Sequence, residues 1–363
     1  MSAPTPAEAF ARIRLLRSPN IGPVSYRQLL ARFGSAEAAV EALPDLAGKG
    51  GRAYRVAPAD AVRAEAAAVR AAGARYLFHD HADYPPLLRA APDAPPILTV
   101  RGDAALSARP CVAIVGARNA SAAAVRMART LAGELGEAGF VVVSGLARGI
   151  DGAAHGAALA GGTIGVIASG IDRAYPPEHE SLQEDIATQG LLVAEQPPGT
   201  EPLARHFPSR NRIIAGIAAG TVVVEAAPKS GSLITARLAA EYGREVMAVP
   251  GSPLDPRAQG CNLMIREGAV LIQSADDVIE LLSAFDGCPR GTLRESAPEW
   301  QGADELADLP ADVAGLLTLA PVAVDEIIRQ SGEPAPAVQL ALLELELQGR
   351  LVRHAGGRVS LAA

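Results

Sequence analysis

Along this chain the spacing of apolar residues changes character twice. Residues 7–72 read as helical, rich in Ala, Arg and Glu. From Ala74 onward short, nearly continuous apolar runs alternate with helical stretches. The runs are Arg75–Phe78, Ile97–Arg101, Cys111–Val115, Val141–Ser144, Thr163–Ala168, Leu191–Glu195, Thr221–Glu225, Glu245–Val249 and Val270–Ile272. Helices are predicted between several of them, at Ala122–Ala138, Gly152–Ala160 and Leu233–Tyr242. Apolar strands separated by helices make a parallel sheet covered on both faces, so the expected class is α/β.

Asp286–Pro310 mixes Pro, Gly, Ser and acids without periodicity and reads as a linker. Beyond it the pattern predicts helices at Ala311–Leu319, Val324–Gln330 and Ala335–Gln348. A hairpin, Leu351–His354 and Arg358–Leu361, follows them, and the whole is winged-helix-like. Its third helix, the usual DNA reader of such a module, carries Glu344 and Glu346 and no Lys or Arg before Arg350. Phosphate would repel it, so a protein-contacting or structural module is expected. Near the N-terminus Gly22-Pro23 precedes a helix that Ser25 can open, with Leu29, Leu30 and Phe33 apolar and Gly34 closing it. The Gly-Pro turn resembles a helix-hairpin-helix, although an ordinary helical hairpin fits the pattern better. The expected division is 1–73 helical, 74–285 sheet core, 286–310 linker and 311–363 winged-helix-like.

At 363 residues two or three domains are expected. No apolar run reaches the ~18 residues of a membrane helix, and Met1 to Ala11 lacks the features of a secretion signal. Cys111, Cys261 and Cys288 are few, odd in number and widely spaced. They fit a reducing cytoplasm better than a disulfide framework or a zinc cluster. The net charge of −7 argues against nucleic acid until it is mapped. Residues 286–363 hold 12 acids and 6 bases, which leaves 28 acids and 27 bases before them. The core is near neutral and has room for a local basic patch.

Two segments carry most of the chemistry. In Ser144-Gly145-Leu146-Ala147-Arg148-Gly149-Ile150-Asp151, and again in Glu225-Ala226 followed by Ser230-Gly231-Ser232, an apolar strand breaks into a Gly/Ser turn and restarts as a helix. Such turns aim backbone N–H groups and a helix N-terminus at one spot, which suits a phosphate. Asp151 is expected to N-cap the following helix. In Val115-Gly116-Ala117-Arg118 an Arg stands where a dinucleotide fingerprint needs Gly, which argues against NAD or FAD. Gly170 and Tyr175 lie in a loop expected to wall the pocket. Arg205-His206-Phe207-Pro208-Ser209-Arg210-Asn211-Arg212 holds no acid, and its arginines are expected at the mouth of the buried helix Ile213–Ala219. Arg beside an aromatic suits single-stranded nucleic acid, with guanidinium for phosphate and ring for base. Glu195 and Glu225 each end a strand and can serve as acid, base or ribose partner, or hold nearby arginines. No Ser-His-Asp arrangement, P-loop or metal-ligand spacing is visible, and no metal or cofactor is expected.

Taken together the motifs resemble the DprA/Smf family of DNA-processing proteins. The matching pieces are Val115-Gly116-Ala117-Arg118, Ser144 to Asp151, Gly170-Ile171-Asp172 with Tyr175-Pro176, Glu195 to Gly199, Phe207 to Gly216, Val224-Glu225-Ala226, Ser230 to Ala236 and Ala248-Val249-Pro250-Gly251. The resemblance implies an extended Rossmann-like core that binds single-stranded DNA, protects incoming strands and loads RecA in natural transformation. It implies a homodimer in the cytoplasm and no catalytic turnover. Its positive pocket would include Arg118, Arg148, Arg210 and Arg212, with the turns at 144–149 and 230–232 beside it. The loop after Tyr175 has Pro177, Glu178 and His179 where some members carry a Lys. The alternative is a nucleoside-monophosphate phosphoribohydrolase-like enzyme, with Glu225 or Glu195 polarising the ribose and Arg210 holding the phosphate. The chain lacks the Pro-Gly-Gly-x-Gly-Thr run of those enzymes.

Overall fold

The computed structural model describes residues 4–48, 54–283, 313–354 and 356–362. The expected linker 286–310, Cys288 and the start of the helix expected at Ala311 lie outside the described residues. Apart from Met1, the chain divides by contacts into two units. Glu65–Leu293 forms one, and Ser2–Ala64 together with Arg294–Ala363 forms the other.

Four helices come first: α1 (Pro6–Leu16), α2 (Pro23–Phe33), α3 (Ala36–Gly48) and α4 (Ala59–Ala71). Helix α2 opens at Pro23, two residues before Ser25. Proline at the first helical position has its φ preset and needs no donor, and Ser25 Oγ accepts the Gly22 N–H at 2.8 Å. Gly34 closes the helix at φ +74°.

The larger unit is built on one nine-stranded sheet. Its strands are β1 (Arg75–Phe78), β2 (Ile97–Gly102), β3 (Cys111–Gly116), β4 (Val141–Ser144), β5 (Thr163–Gly170), β6 (Leu191–Gln196), β7 (Gly220–Val224), β8 (Glu245–Ala248) and β9 (Val270–Leu271). Their order is β1-β2-β6-β5-β4-β3-β7-β8-β9. From β6 to β9 all neighbours are parallel. The sheet is not parallel throughout, as the apolar runs suggested. β1 pairs antiparallel with β2, and β2 antiparallel with β6. A parallel return needs a crossover long enough to span the sheet, and the one described helix between β1 and β2 is the single turn α5 (Pro86–Arg89).

The remaining helices of this unit are α6 (Ala122–Glu137), α7 (Ile150–Ala158), α8 (Glu180–Gln189), α9 (His206–Ile217), α10 (Gly231–Glu241), α11 (Gln259–Arg266) and α12 (Ala275–Ser283). Successive strand residues face opposite sides. Ala113 and Val115 pack with Ile213 and Ile214 of α9 and Ala236 of α10, while Val112 and Ile114 pack with Leu131 of α6, Ile150 of α7 and Val278 of α12. None of the described helices is long and apolar enough to cross a membrane.

In the smaller unit β10 (Val322–Ala323), α13 (Val324–Ser331), α14 (Ala335–Leu347), β11 (Leu351–His354) and β12 (Arg358–Leu361) make the winged-helix-like module. Residues 313–316 are turn where a helix was expected. Helix α14 is buried on two sides. Val338, Leu342 and Leu345 fill the module's own core, and Leu343 and Leu347 join Leu15, Leu29 and Leu43 of the first three helices. Asn20 Nδ2 donates to the Leu347 carbonyl at 3.1 Å, which ties the Gly-Pro turn region to the end of α14.

Candidate nucleic-acid interface

Ligands of open α/β sheets sit outside the carboxyl ends of the strands. A cleft of about 280 Å³ lies there. The turn after β3 brings Arg118 and Asn119, the turn after β4 brings Gly145, Ala147 and Arg148, and β5 with its loop brings Ala168, Tyr175 and Pro176. Helix α9 adds Phe207 and Arg210. The run Arg205–Arg212 is therefore mostly helix, since α9 begins at His206 and not after Arg212.

The first of the two turns is already filled from inside. Asp151 lies within the first turn of α7 and is not its N-cap; Gly149, at φ +75°, holds that position. The Asp151 carboxylate reaches back and accepts the N–H of Gly145 at 3.1 Å and of Ala147 at 3.3 Å. Burial pushes its pKa up, while Arg210 and these two donors hold it down. In the same way Glu225 accepts from Ser121, the N-cap of α6, both N–H (3.1 Å) and hydroxyl (2.5 Å). Leu146 (φ +56°) and Glu225 (φ +57°) mark the two turns as matching left-handed kinks that follow β4 and β7. In the first turn two of the N–H groups expected to meet phosphate are thus satisfied by a carboxylate; in the second, Ser230 N–H goes to the Ala227 carbonyl and Ser232 N–H to Ser230 Oγ.

Arg210 is the centre of the site's charge. It is 6% exposed, yet among the described residues it makes no ion pair within 4.0 Å and its Nε has no hydrogen-bond partner. Burial pushes its pKa down to about 10; Asp151 opposes the fall and Arg118 adds to it. Its guanidinium occupies the space a side chain would take at Gly145. A Cβ built there would stand 1.2 Å from Nη1. Gly145 is thus required by the close approach of this cation.

Arg118 is exposed and has no carboxylate partner among the described residues. Its Cζ lies 4.9 Å from the centroid of the Phe207 ring. Tyr175, 42% exposed, meets the same ring edge to face, with centroids 5.8 Å apart. Two aromatic rings and two cations therefore share one cleft. Arg148 also lines it but forms an ion pair with Glu178.

Other expected residues are placed differently. Arg212 sits two positions from Arg210 on one helix, roughly 200° around it. Its side chain is 11% exposed and pairs with Glu195. Asn211 donates to the Gly231 carbonyl at 3.2 Å and so joins α9 to the start of α10. Ser144 Oγ donates to the Ile114 carbonyl at 2.6 Å. Ser230 caps α10 by accepting the Ser232 N–H, and Gly231 lies exposed between them. Gly116 and Gly170 are spacers: a Cβ at Gly116 would meet the Val224 carbonyl at 2.0 Å, and one at Gly170 the Pro197 carbonyl at 2.5 Å. None of these lines the cleft, and neither do Glu195, Glu225 or Asp151. Asn119, Ala147, Ala168 and Pro176 do line it and were not singled out from sequence, although each lies within two residues of one that was.

Comparison with known proteins settles the family. Residues 75–283 match the family described as DNA recombination-mediator protein A. The chain belongs to that family. A DprA-like N-terminal HHH domain matches residues 6–68, and a DprA winged helix domain matches residues 296–357. Protein Smf of Escherichia coli is 39% identical over 286 residues, covering 77% of this chain and 75% of its own length. DNA processing protein DprA of Bacillus subtilis is 44% identical over 219 residues, covering 60% of this chain and 74% of its own length. The crystal structure of Streptococcus pneumoniae DprA superposes with a TM-score of 0.63 at 34% identity, over 77% of this chain and 98% of that one. Helicobacter pylori DNA processing protein A, solved for its single-stranded DNA binding mode, gives 0.53 at 31% identity, over 58% and 96%. The DprA family is one of recombination mediators, not of enzymes. Its Rossmann-like core, N-terminal helical domain and winged helix fit the elements described above.

Proposed function

We propose that this protein binds single-stranded DNA in the cleft between the β4 turn, the Tyr175 loop and α9. The observation that carries the reading is a pair of guanidiniums with no ion pair within 4.0 Å among the described residues, Arg118 and Arg210, beside a pair of rings, Tyr175 and Phe207. Cations track a phosphate backbone and rings stack unpaired bases, which a duplex does not offer. The single-stranded DNA binding mode of the Helicobacter pylori relative supports the same partner. Arg148 completes the cation set, and Gly145, Gly149 and Asp151 hold it in place. Arg212, Glu195 and Glu225 do not line the cleft and are taken up by their own pairings.

In this account the protein acts in the cytoplasm as a homodimer, protects incoming single strands and hands them to RecA during transformation. The division at 1–73, 74–285, 286–310 and 311–363 goes with this reading, with DNA held by the middle segment. A phosphoribohydrolase has little support, because Glu225 is committed to Ser121 and Glu195 to Arg212.

The test is fluorescence anisotropy with labelled single-stranded and duplex oligonucleotides over a salt series. Wild type should prefer the single strand. Arg118→Ala should weaken binding about 10- to 100-fold, the worth of one charge-assisted contact. It should also flatten the log-affinity against log-salt slope by about 0.7. Equal affinity for duplex, or no loss in the variant, would overturn the reading.

A further inference from the structure

One exposed carboxylate pairs with a cation of this cleft. Glu178 stands in a short 3-10 turn, Pro177–His179, directly after the cleft-lining Tyr175-Pro176. Its carboxylate holds Arg148, whose side chain is 62% exposed, with that of Glu178 at 46%. The turn is anchored against the loop it faces. The His179 ring donates through Nδ1 to the Leu146 carbonyl at 2.9 Å. The same ring packs so close to α7 that a Cβ at Gly152 would lie 2.6 Å from it. Glu178 is therefore held on the same loop pair as the arginine it binds, while Arg118 and Arg210 have no such partner among the described residues.

We propose that Glu178 is a specificity-determining residue that occupies Arg148 in place of a phosphate, so that a bound strand must displace it. The inference rests on the reading of the cleft as a single-strand site. An exposed ion pair is weak and screened by salt, so a phosphodiester, which brings contacts to Arg118 and Arg210 as well, displaces it. A single small anion brings no such additional contacts. Glu178 thus sets a threshold: ligands that span several cations bind, and isolated phosphates, such as those of nucleoside monophosphates, do not profit from Arg148. Charge bookkeeping follows. In the free protein Arg148 is neutralised internally and holds few counterions, so its contact with a strand releases little salt.

The test is a cycle of Glu178→Gln, Arg148→Ala and the double variant in the full chain. A labelled single-stranded oligonucleotide is the probe, over a salt series. Glu178→Gln should bind about two- to fivefold tighter at low salt, with a slope steeper by about 0.7. Arg148→Ala should remove that gain and should cost more affinity when combined with Glu178→Gln than it does in wild type. Glu137→Gln, at the exposed far end of α6, makes the same change in net charge and serves as control. If Glu178→Gln binds like wild type, more weakly, or no better than Glu137→Gln, the inference falls, while a loss in Arg118→Ala would leave the cleft reading standing. If Arg118→Ala also binds like wild type, both fall together.

Discussion

Replacing Arg210 by Met should make this protein more stable and less able to hold DNA. The side chain keeps its length and apolar stem but loses a charge that is 6% exposed. That charge has no ion pair within 4.0 Å, and its Nε has no hydrogen-bond partner among the described residues. Burying such a group is unfavourable. The fall of its pKa to about 10, already net of the attraction of Asp151, corresponds to a burden of about 3 kcal/mol on the folded state. The sign follows from the direction. A cation whose folded pKa is depressed destabilises the fold in full below that pKa, and the burden begins to lift only as the pH rises above about 10, towards the ordinary arginine value. At neutral pH an apolar isostere removes it but also takes from buried Asp151 the cation that holds its pKa down, so Arg210→Met should stabilise the larger unit by less than about 3 kcal/mol. Loss of one charge-assisted phosphate contact should meanwhile weaken single-strand binding about 10- to 100-fold. Scanning calorimetry and anisotropy on the same preparation read both quantities. A destabilisation of more than about 1 kcal/mol, beyond what an ordinary surface change produces, would refute the reasoning. Arg210 would then be a structural residue.

Other consequences are as direct. Gly145→Ala places a Cβ 1.2 Å from Arg210 Nη1, so the guanidinium must leave its place; DNA binding should fall as in Arg210→Met, with about 1–3 kcal/mol lost from stability. Ser121→Ala removes both an N-cap and the hydroxyl partner of Glu225 and should cost about 1–2 kcal/mol in urea denaturation, while leaving DNA affinity within twofold or so. Ending the chain at residue 285 strips Leu343 and Leu347 from the core of α1 to α3, a loss of about 3–6 kcal/mol of burial. Limited proteolysis should then cut within residues 4–48 while the sheet unit stays intact. Equal resistance in the two chains would show that those helices hold together alone.

Much of this was legible in the sequence because period and turn chemistry are local signals. Each of the nine apolar runs became a strand. Arg118, Arg148, Tyr175, Phe207 and Arg210 came together in one cleft. The rest depended on partners distant along the chain. Nothing local says that Glu225 answers Ser121, 104 residues away, or that α14 shares a core with α1 to α3. The antiparallel β1 and β2 were hidden because a buried strand reads the same in either direction. Helical geometry did hold one unused signal. Residues two apart on a helix face different ways, so Arg210 and Arg212 could not both enter one cleft once α9 was seen to include them.

The most direct test of the central claim is photo-cross-linking. A single-stranded oligonucleotide carrying 5-bromouracil would be irradiated with the full chain and the adducts mapped by mass spectrometry. A strand stacked in the cleft places adducts on Tyr175 or Phe207, and Phe207→Ala should shift or abolish them. Adducts confined to residues of the smaller unit, with none on either ring, would contradict the account.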